Sequence, residues 1–360
     1  MTACHLDFES ASAADLGDVG VYRYVEHPST RIWLFSYQFD GGNRVERWRP
    51  GLPTPERLLD HVVRGGTVKA HNANFERQVW NGVLRRLPEA SSWPVLSIGQ
   101  MDCTMARALA IHLPADLDDL AKVLGLIERK DKEGKALMRK MMRPRKRLPD
   151  GSYEWWNSPE NIERLGQYCD QDVVVESEID KKLPPLSAEE RALWELDQRI
   201  NDRGVRLDVP MIEKIVKVLE VAKQRDNARM AKLTANAVMK TTENAKLLSW
   251  FQGRGFQADS IAKDHHADLR EMADVLVDEE ALAVLELRAS GAKTSTAKFP
   301  RMADYAGFGD RARGLFAYHR ASTGRFGGSG PQPQNLPRVD DEKELPDVLS
   351  LLSLLESASI

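Results

Sequence analysis

The sequence predicts a mixed α/β domain in its first half and an almost wholly helical region after it. Three observations carry this prediction. Short runs of alternating apolar and polar residues are interleaved with helical stripes as far as residue 182. A proline pair, Pro184-Pro185, then stops the chain, and beyond it the patterns are helical to about residue 290.

Thr2 to Phe8 alternates as a strand, Arg31 to Phe39 does so again, and Gly41-Gly42 turns the chain into a third strand at Arg44 to Trp48. Thr54-Pro55-Glu56 opens a helix to about Arg64, with Thr54 as N-cap and Pro55 at the first helical position. Thr67 to His71 is a short strand. Asn74 to Leu87 has apolar residues at Phe75, Val79, Val83, Leu84 and Leu87, a helical stripe, and helical patterns follow at 102–111 and 116–126. Glu128 to Arg147 carries ten Lys and Arg against three acids and ends in MMRPRKRLPDG, which reads as a mobile basic loop. Asn161 to Lys182 is a long helix.

Ser187-Ala188-Glu189-Glu190 has capping-box spacing and opens the helical region. Pro210 starts a helix whose Ile212, Ile215, Val216 and Leu219 form one stripe. Residues 318–338 are rich in Gly, Pro and Gln and read as extended and turn-filled, and Leu345 to Ile360 reads as a leucine-rich amphipathic helix.

At roughly 150 residues per domain, 360 residues make two or three domains, and 42% apolar content gives each a core. Small disulfide scaffolds and disordered tails are excluded. Net charge is −3, so nucleic-acid contact must come from a local patch. Cys4, Cys103 and Cys169 lack metal-ligand spacing and read as small apolar fillers in a reducing compartment. With no secretory signal and no apolar run near 18 residues, a cytoplasmic protein without membrane contact is expected.

Asp7 and Glu9 lie two apart on the first strand, so both side chains share one face. Burying two carboxylates together costs several kcal/mol, roughly, unless a divalent cation sits between them. In KAHNANFE, residues 69–76, a strand delivers Asn72, and the helix start after it holds Phe75 and Glu76. In Tyr168-Cys-Asp-Gln-Asp172, Tyr168 and Asp172 are four apart on one helix face, and Asp170 points elsewhere. Acids on a first strand, at a junction and on a late helix, with a tyrosine one turn before the last acid, suit two-metal phosphodiester hydrolysis.

These three motifs resemble those of the proofreading 3′–5′ exonuclease domain of family A DNA polymerases, the DEDD type with a tyrosine in its last motif. LDFES, NANFE and YCDQD match the three motifs in order and spacing, and MDCTMARALA and LDDLAKVLGL sit where that family has comparable segments. The resemblance implies an RNase H-like exonuclease domain with a mixed sheet over residues 1–186. It further implies two divalent cations, Mg²⁺ or Mn²⁺, held by Asp7, Glu9, Glu76 and Asp172. Tyr168 would orient the attacking water, and Ser10, Asn72 and Phe75 would contact the substrate. Glu76 departs from the usual Asp by one methylene.

Past residue 187, LWELDQRINDRGVRLDVP resembles the start of the thumb in bacteriophage-like members, and LELRASGAKTSTAKF its later helix. YHRASTGRFGGSGPQPQNLPR resembles the segment leading to the palm, with Arg325, Gln334 and Asn335 as implied DNA contacts. Two serines expected after Thr-Gly-Arg appear as Gly327 and Gly328. The expected organisation is an exonuclease domain at 1–186, a thumb-like region at 187–338, and an acidic then leucine-rich tail at 339–360. Asp340 and Asp341 do not fit the first catalytic strand of a palm, and no fingers helix follows. A truncated polymerase is therefore expected, or a subunit whose palm and fingers lie on a separate polypeptide.

The implied partners are DNA with a single-stranded or frayed 3′ end and primer-template duplex, in a bacterial or phage-infected cell. The alternative function is a DNA-binding fragment or polymerase subunit with weak or no nuclease activity. The basic segment and Trp155-Trp156 beside it can clamp phosphates and stack on a base, or form a solvated surface and a packed core. His71, His265 and His266 read as structural or solvent-facing.

Overall fold

The fold is described from a computed structural model, covering residues 2–126, 131–262, 265–291, 297–321 and 323–336. The leucine-rich segment at 345–360, the tail at 339–360 and the Asp340-Asp341 pair lie outside these residues. So do the first residues of the basic segment, 128–130.

A five-stranded mixed sheet organises the first part of the chain. Its strands are β1 (Cys4–Ala11), β2 (Arg31–Phe39), β3 (Glu46–Trp48), β4 (Val68–Ala70) and β5 (Met101–Cys103), in the spatial order β3-β2-β1-β4-β5. β1, β2 and β3 pair antiparallel, and β1, β4 and β5 pair parallel. This is the RNase H-like arrangement the resemblance implied. The β1–β2 register slips between Glu9 and Ser10, a bulge beside the acid pair.

The helices of this part are α1 (Leu16–Glu26), α2 (Glu56–Val63), α3 (Ala73–Gly82), α4 (Thr104–Ala110), α5 (Leu117–Val123), α6 (Lys132–Met141), α7 (Pro159–Lys182) and α8 (Ala188–Arg203). Four differ from expectation, α6 among them. α1 was not expected, because Gly17 and Gly20 break its apolar stripe. α2 begins one residue late, with Pro55 at the cap position and no side-chain cap from Thr54. Met101–Cys103, expected at the edge of a helix, is strand β5, with α4 starting at Thr104.

The basic segment is not a loop. Asp131 caps α6 by accepting from Gly134 N, and Lys146–Arg147 pairs with Tyr153–Glu154 as hairpin strands β6 and β7. Apolar Leu137, Met138 and Met141 anchor α6 on the side that packs with Leu165 and Tyr168, and this stripe was hidden by the density of charge around it.

One face of the sheet carries an aromatic core. Phe8, Phe35, Trp48, Trp80 and Trp93 are all buried, with Phe35 stacked on Trp48 at 5.3 Å and Trp48 edge-on to Trp93 at 5.0 Å. The opposite face of β1 carries His5, Asp7 and Glu9 and is covered by α7.

The proline pair ends α7 without ending the compact unit. Of the described residues, 2–207 and 304–334 form one unit, and 208–303 with 335–336 the other. Trp194 of α8 and Tyr318 are buried in the same core as Phe35 and Trp80, which is why α8 stays with the first unit. Short strands β8 (Val205–Arg206), β9 (Ala306–Gly307) and β10 (Arg311–Ala312) form a three-stranded sheet there. β11 (Phe316–Ala317), just before the segment expected to be turn-filled, pairs antiparallel with β12 (Gly327–Gly328) inside it.

The second unit is helical, as expected, with α9 (Val209–Leu233), α10 (Asn244–Gly253), α11 (His266–Leu276) and α12 (Glu279–Gly291). Met230, Leu247, Phe251, Phe256, Leu269 and Val284 make its core. A last helix, Lys298–Tyr305, leads back to residues of the first unit. Among the described residues no helix is long and apolar enough to cross a membrane.

The C-terminal end of α7 is pinned by charge. Arg107, buried in α4, donates to the Asp180 carboxylate, to Leu183 O, and to Pro184 O at 3.0 Å. Lys69 Nζ reaches the other Asp180 oxygen at 2.7 Å. Burial alone would raise the Asp180 carboxyl, but Lys69 and Arg107 bring it below the usual carboxylate range. Arg107→Met removes one partner of a buried pair and three helix-end donors, so it lowers the unfolding free energy by roughly 3 kcal/mol, measured by urea denaturation.

Candidate active site

Of the acids expected to act together, Asp7 and Glu9 lie on β1, Asp172 on α7 and Glu76 on α3. Ligand oxygens of Asp7 and Glu9 and the Cys169 sulfur all lie within 4.8 Å of one another. Glu9 is 6% exposed, Glu76 3% and Asp172 4%, so three of the four carboxylates are withdrawn from water. Tyr168 is equally buried, at 1%. Its hydroxyl is pushed far above the usual phenol range by burial, then by the charges of Asp172 and Glu9 and by a hydrogen bond with Asp172. Burial and the neighbouring acids thus favour the protonated form of the Tyr168 phenol.

Glu76 sits in the first turn of α3, where the strand β4 hands over to the helix. Asn72 makes this junction in the left-handed conformation, φ 66°, a conformation Asn tolerates better than most residues. Burial raises the Glu76 carboxyl well above its usual range, and the negative charge of Asp7 raises it further. Among the described residues its Oε2 accepts no hydrogen bond. An acid buried beside another acid, with an oxygen left open, fits a divalent cation taking hard oxygen ligands.

The row of polar residues continues away from the acids. His5 lies two residues before Asp7 on the same face, and Glu176 lies one turn after Asp172. His5 Nδ1 bonds the Glu176 carboxylate, and its Nε2 is 2.7 Å from Asp40 Oδ1. Burial would lower the His5 imidazole, yet Glu176 and Asp40 hold it above its usual value. His5, Asp40 and Asp180 have metal-ligand proximity as well. Lys69 bridges Asp40 and Asp180 at 3.3 and 2.7 Å, which makes that group an ion-pair network.

Other expected residues have separate roles in the fold. Asp170 points away from the acids, as expected, held by Arg47 at 2.8 and 2.7 Å and by Ser36 Oγ at 2.7 Å. Ser10 is buried with its hydroxyl 2.9 Å from that of Tyr24, beyond the β1 bulge. Phe75 packs near Tyr24 with ring centroids 6.3 Å apart. Arg325 is exposed and donates to Thr323 Oγ1 at 3.0 Å. Gln334 and Asn335 lie in a 3-10 turn, both exposed. His71 is tied to Thr104 and to Ala115 O, at 3.2 and 2.7 Å, in keeping with a structural role. Trp156 lies under Lys140 and Arg145, at 3.9 and 4.9 Å from ring centroid to charge.

Two residues of the site carried no readable sequence signal. Cys169 donates to Asp7 Oδ2 at 3.3 Å and to Asp7 O at 3.4 Å, so it orients the carboxylate that Tyr168 and Glu76 share. Its neighbourhood to Tyr168 in YCDQD was visible, but a thiol facing a carboxylate is not a pattern of spacing. Gly134 in α6 packs flat on Tyr168. A Cβ there would lie 2.5 Å from the ring, so the side chain that covers the tyrosine must be a hydrogen. The Gly327 replacement of an expected serine has a similar cause, since a Cβ would meet Arg320 Cβ at 2.6 Å.

No protein-family model matches the chain. It is 35% identical over 348 residues to the DNA polymerase of Bacillus phage SP02, a match that covers 94% of this chain and 52% of that protein. The chain is homologous to a phage DNA polymerase. This polymerase homologue spans about half the length of its curated relative. The POL domain of Pol1 from M. smegmatis, solved in complex with DNA primer-template and dNTP, is 15% identical with a TM-score of 0.49, over 87% of this chain and 50% of that one. The Asp7 charge acts on Glu76, and the charges of Asp172, Glu9 and Asp7 act on Tyr168.

The raised Glu76 carboxyl makes cation binding and pH act together. A carboxyl whose folded value lies above its usual 4.5 adds stability that is complete below that pH and is lost as pH rises through the folded value. In EDTA, the unfolding free energy therefore falls with rising pH above about 4.5, and Glu76→Gln flattens the fall. Mg²⁺ at one fixed concentration, a hundred times its dissociation constant for the unaltered chain at high pH, restores about 2.7 kcal/mol there. That gain is larger at high pH than at low, and smaller in Glu76→Gln, as read by thermal unfolding with and without the cation.

Proposed function

We propose that the chain is a two-metal 3′–5′ exonuclease of the proofreading type, acting on DNA 3′ ends, within a polymerase of family A. The observation that supports this reading is the proximity of Asp7 and Glu9 on β1, with the Asp7 charge acting on the buried Glu76 and Asp172 bonded to the buried Tyr168. The reading assigns the exonuclease to residues 1–186 and a thumb-like role to 187–338. Within the latter, α8 and residues 304–334 pack with the first unit.

Two divalent cations of the Mg²⁺ or Mn²⁺ kind would supply the positive charge that makes a water nucleophilic and stabilises the attacking and leaving oxygens. Asp7, Glu9, Glu76 and Asp172 would hold these cations, Glu76 with a side chain one methylene longer than the usual Asp. Cys169 keeps the Asp7 carboxylate from rotating. The protonated Tyr168 hydroxyl aligns the water, and burial under Gly134 keeps the ring in place. Asn72, at the start of α3, and Phe75 border the path of the terminal nucleotides, and each cleavage releases a 5′-monophosphate.

The substrate is a frayed 3′ end, gripped through its phosphates. α6 and the β6–β7 hairpin present Lys140, Arg145, Lys146 and Arg147 beside Trp156, a cationic face with one exposed-edge ring. Arg325, Gln334 and Asn335 extend the contacts to primer-template duplex, with main-chain groups at Gly327 and Gly328 in place of serine hydroxyls.

On a 5′-labelled oligonucleotide with Mg²⁺ or Mn²⁺, the chain produces a ladder of shortened products, and Asp7→Ala abolishes it while leaving gel-shift affinity within about twofold. A ladder from the purified variant as strong as that of the unaltered chain sinks the assignment. An intact chain that binds DNA but gives no ladder marks the DNA-binding alternative. Replacing Arg145, Lys146 and Arg147 together by Ala lowers the slope of log affinity against log salt by about 1 to 2, measured by fluorescence anisotropy on single-stranded DNA.

A further inference from the structure

On the exonuclease reading a phosphodiester must reach Glu9, Asp172 and Tyr168, which are only 6%, 4% and 1% exposed. The helix α6 covers the last of these at Gly134, and its two ends are held differently. At its C-terminal end Met141 is fully buried, Met141 O accepts from Trp33 Nε1 at 3.2 Å, and Met142 O accepts from Ser12 N at 3.1 Å. At its N-terminal end Asp131 reaches across to α7, where its Oδ2 pairs with Arg164 Nη2 at 2.5 Å. That pair is partly open to water, with side chains 25% and 34% exposed, so it adds little to stability and exchanges readily.

Arg164 stands close to where a strand end must arrive. It lies four residues before Tyr168 on α7, about 6 Å along the axis and on the same face. A Cβ on Gly134 would lie 2.5 Å from the Tyr168 ring and 2.7 Å from Asp131 Oδ2, so the ion pair sits beside the ring. A guanidinium fork takes carboxylate and phosphate oxygens in the same planar geometry, so a phosphate can replace the carboxylate that holds it. The exchange needs little motion. Asp131 is the N-cap of α6, accepting from Gly134 N at 3.0 Å, and a helix end opens at lower cost than its middle. Gly134 keeps its seat on the ring while the cap lets go.

We propose that Arg164 binds a phosphate of the 3′-terminal nucleotides, and that this phosphate displaces the Asp131 carboxylate paired with it here. The proposal takes its substrate from the exonuclease reading and adds to that site a residue that positions the strand. One anion replaces another, so the guanidinium is paired before and after the strand enters.

The test uses the full chain in EDTA, where binding is read without cleavage. A 5′-fluorescent single-stranded dodecamer is titrated by anisotropy in two forms, one unmodified and one with uncharged methylphosphonates in place of the last two phosphodiesters at the 3′ end. In the unaltered chain the neutral linkages weaken binding about tenfold. Arg164→Gln weakens the unmodified strand by about that factor, and neutral linkages then cost it less than about twofold more. Arg164→Lys falls between the two. Asp131→Asn keeps the cap, since Asn caps as well as Asp, but frees Arg164, so the unmodified strand binds about threefold tighter and the neutral-ended one no tighter. Hydrogen exchange at the Gly134 amide rises on adding the unmodified strand and not the neutral-ended one. Equal losses from neutral linkages in the unaltered chain and in Arg164→Gln, no loss in either, or no binding of any strand overturns the proposal. Asp131→Asn binding no tighter overturns it as well, and that comparison stands even if Arg164→Gln fails to fold. A ladder in Mg²⁺ without this coupling sinks the role of Arg164 alone, whereas coupling without a ladder supports Arg164 as a phosphate contact and sinks the nuclease reading.

Discussion

The structure of the site depends on the match between two periodicities. Along one face of β1, Glu9, Asp7 and His5 recur at about 6.7 Å. Along α7, Tyr168, Asp172 and Glu176 recur at about 6.0 Å. The two rows run in opposite chain directions, and they meet rung by rung. Tyr168 feels Glu9 and Asp7, Cys169 bonds Asp7, and Glu176 bonds His5. Burying this much negative charge is costly, and the protein offsets it differently at each end. At the His5 end, imidazole and lysine complete an ion-pair network. At the Glu9 end, a hydroxyl, a thiol and acidic oxygens remain, the set to which the proposed function assigns its cations.

The sheet side of this arrangement was legible in the sequence. Alternation exposes strand faces directly, so β1 to β4 and the pairing of Asp7 with Glu9 could be read from residue types alone. α7 and α8 were legible because long apolar stripes end at prolines and caps. What failed was local structure in which charge or glycine hides the stripe. α1 contains two glycines, β5 is only three residues long, and α6 is built from a segment dominated by lysine and arginine. In each case the packing partner decides the conformation, and the partner lies far off in sequence.

The same limit applies to the site. Carboxylates announce themselves by type and spacing. Gly134 and Cys169 do not, since a glycine under a tyrosine ring or a thiol facing a carboxylate is a property of what surrounds it. The division of the chain followed this rule too. Pro184-Pro185 marks the end of a helix, but Trp194 and Tyr318 return to the core of the first unit, and only the fold reveals that return.

The Arg107 clamp on the last turn of α7 has a consequence for precision. Strand and helix repeats differ by about 0.7 Å per rung, so the two rows behave like the scales of a vernier. Alignment can be perfect at one mark only, and the clamp selects the mark nearest His5 and Glu176. The accumulated offset is then carried toward Tyr168, where a hydroxyl on a long aromatic arm can absorb it and a short carboxylate could not.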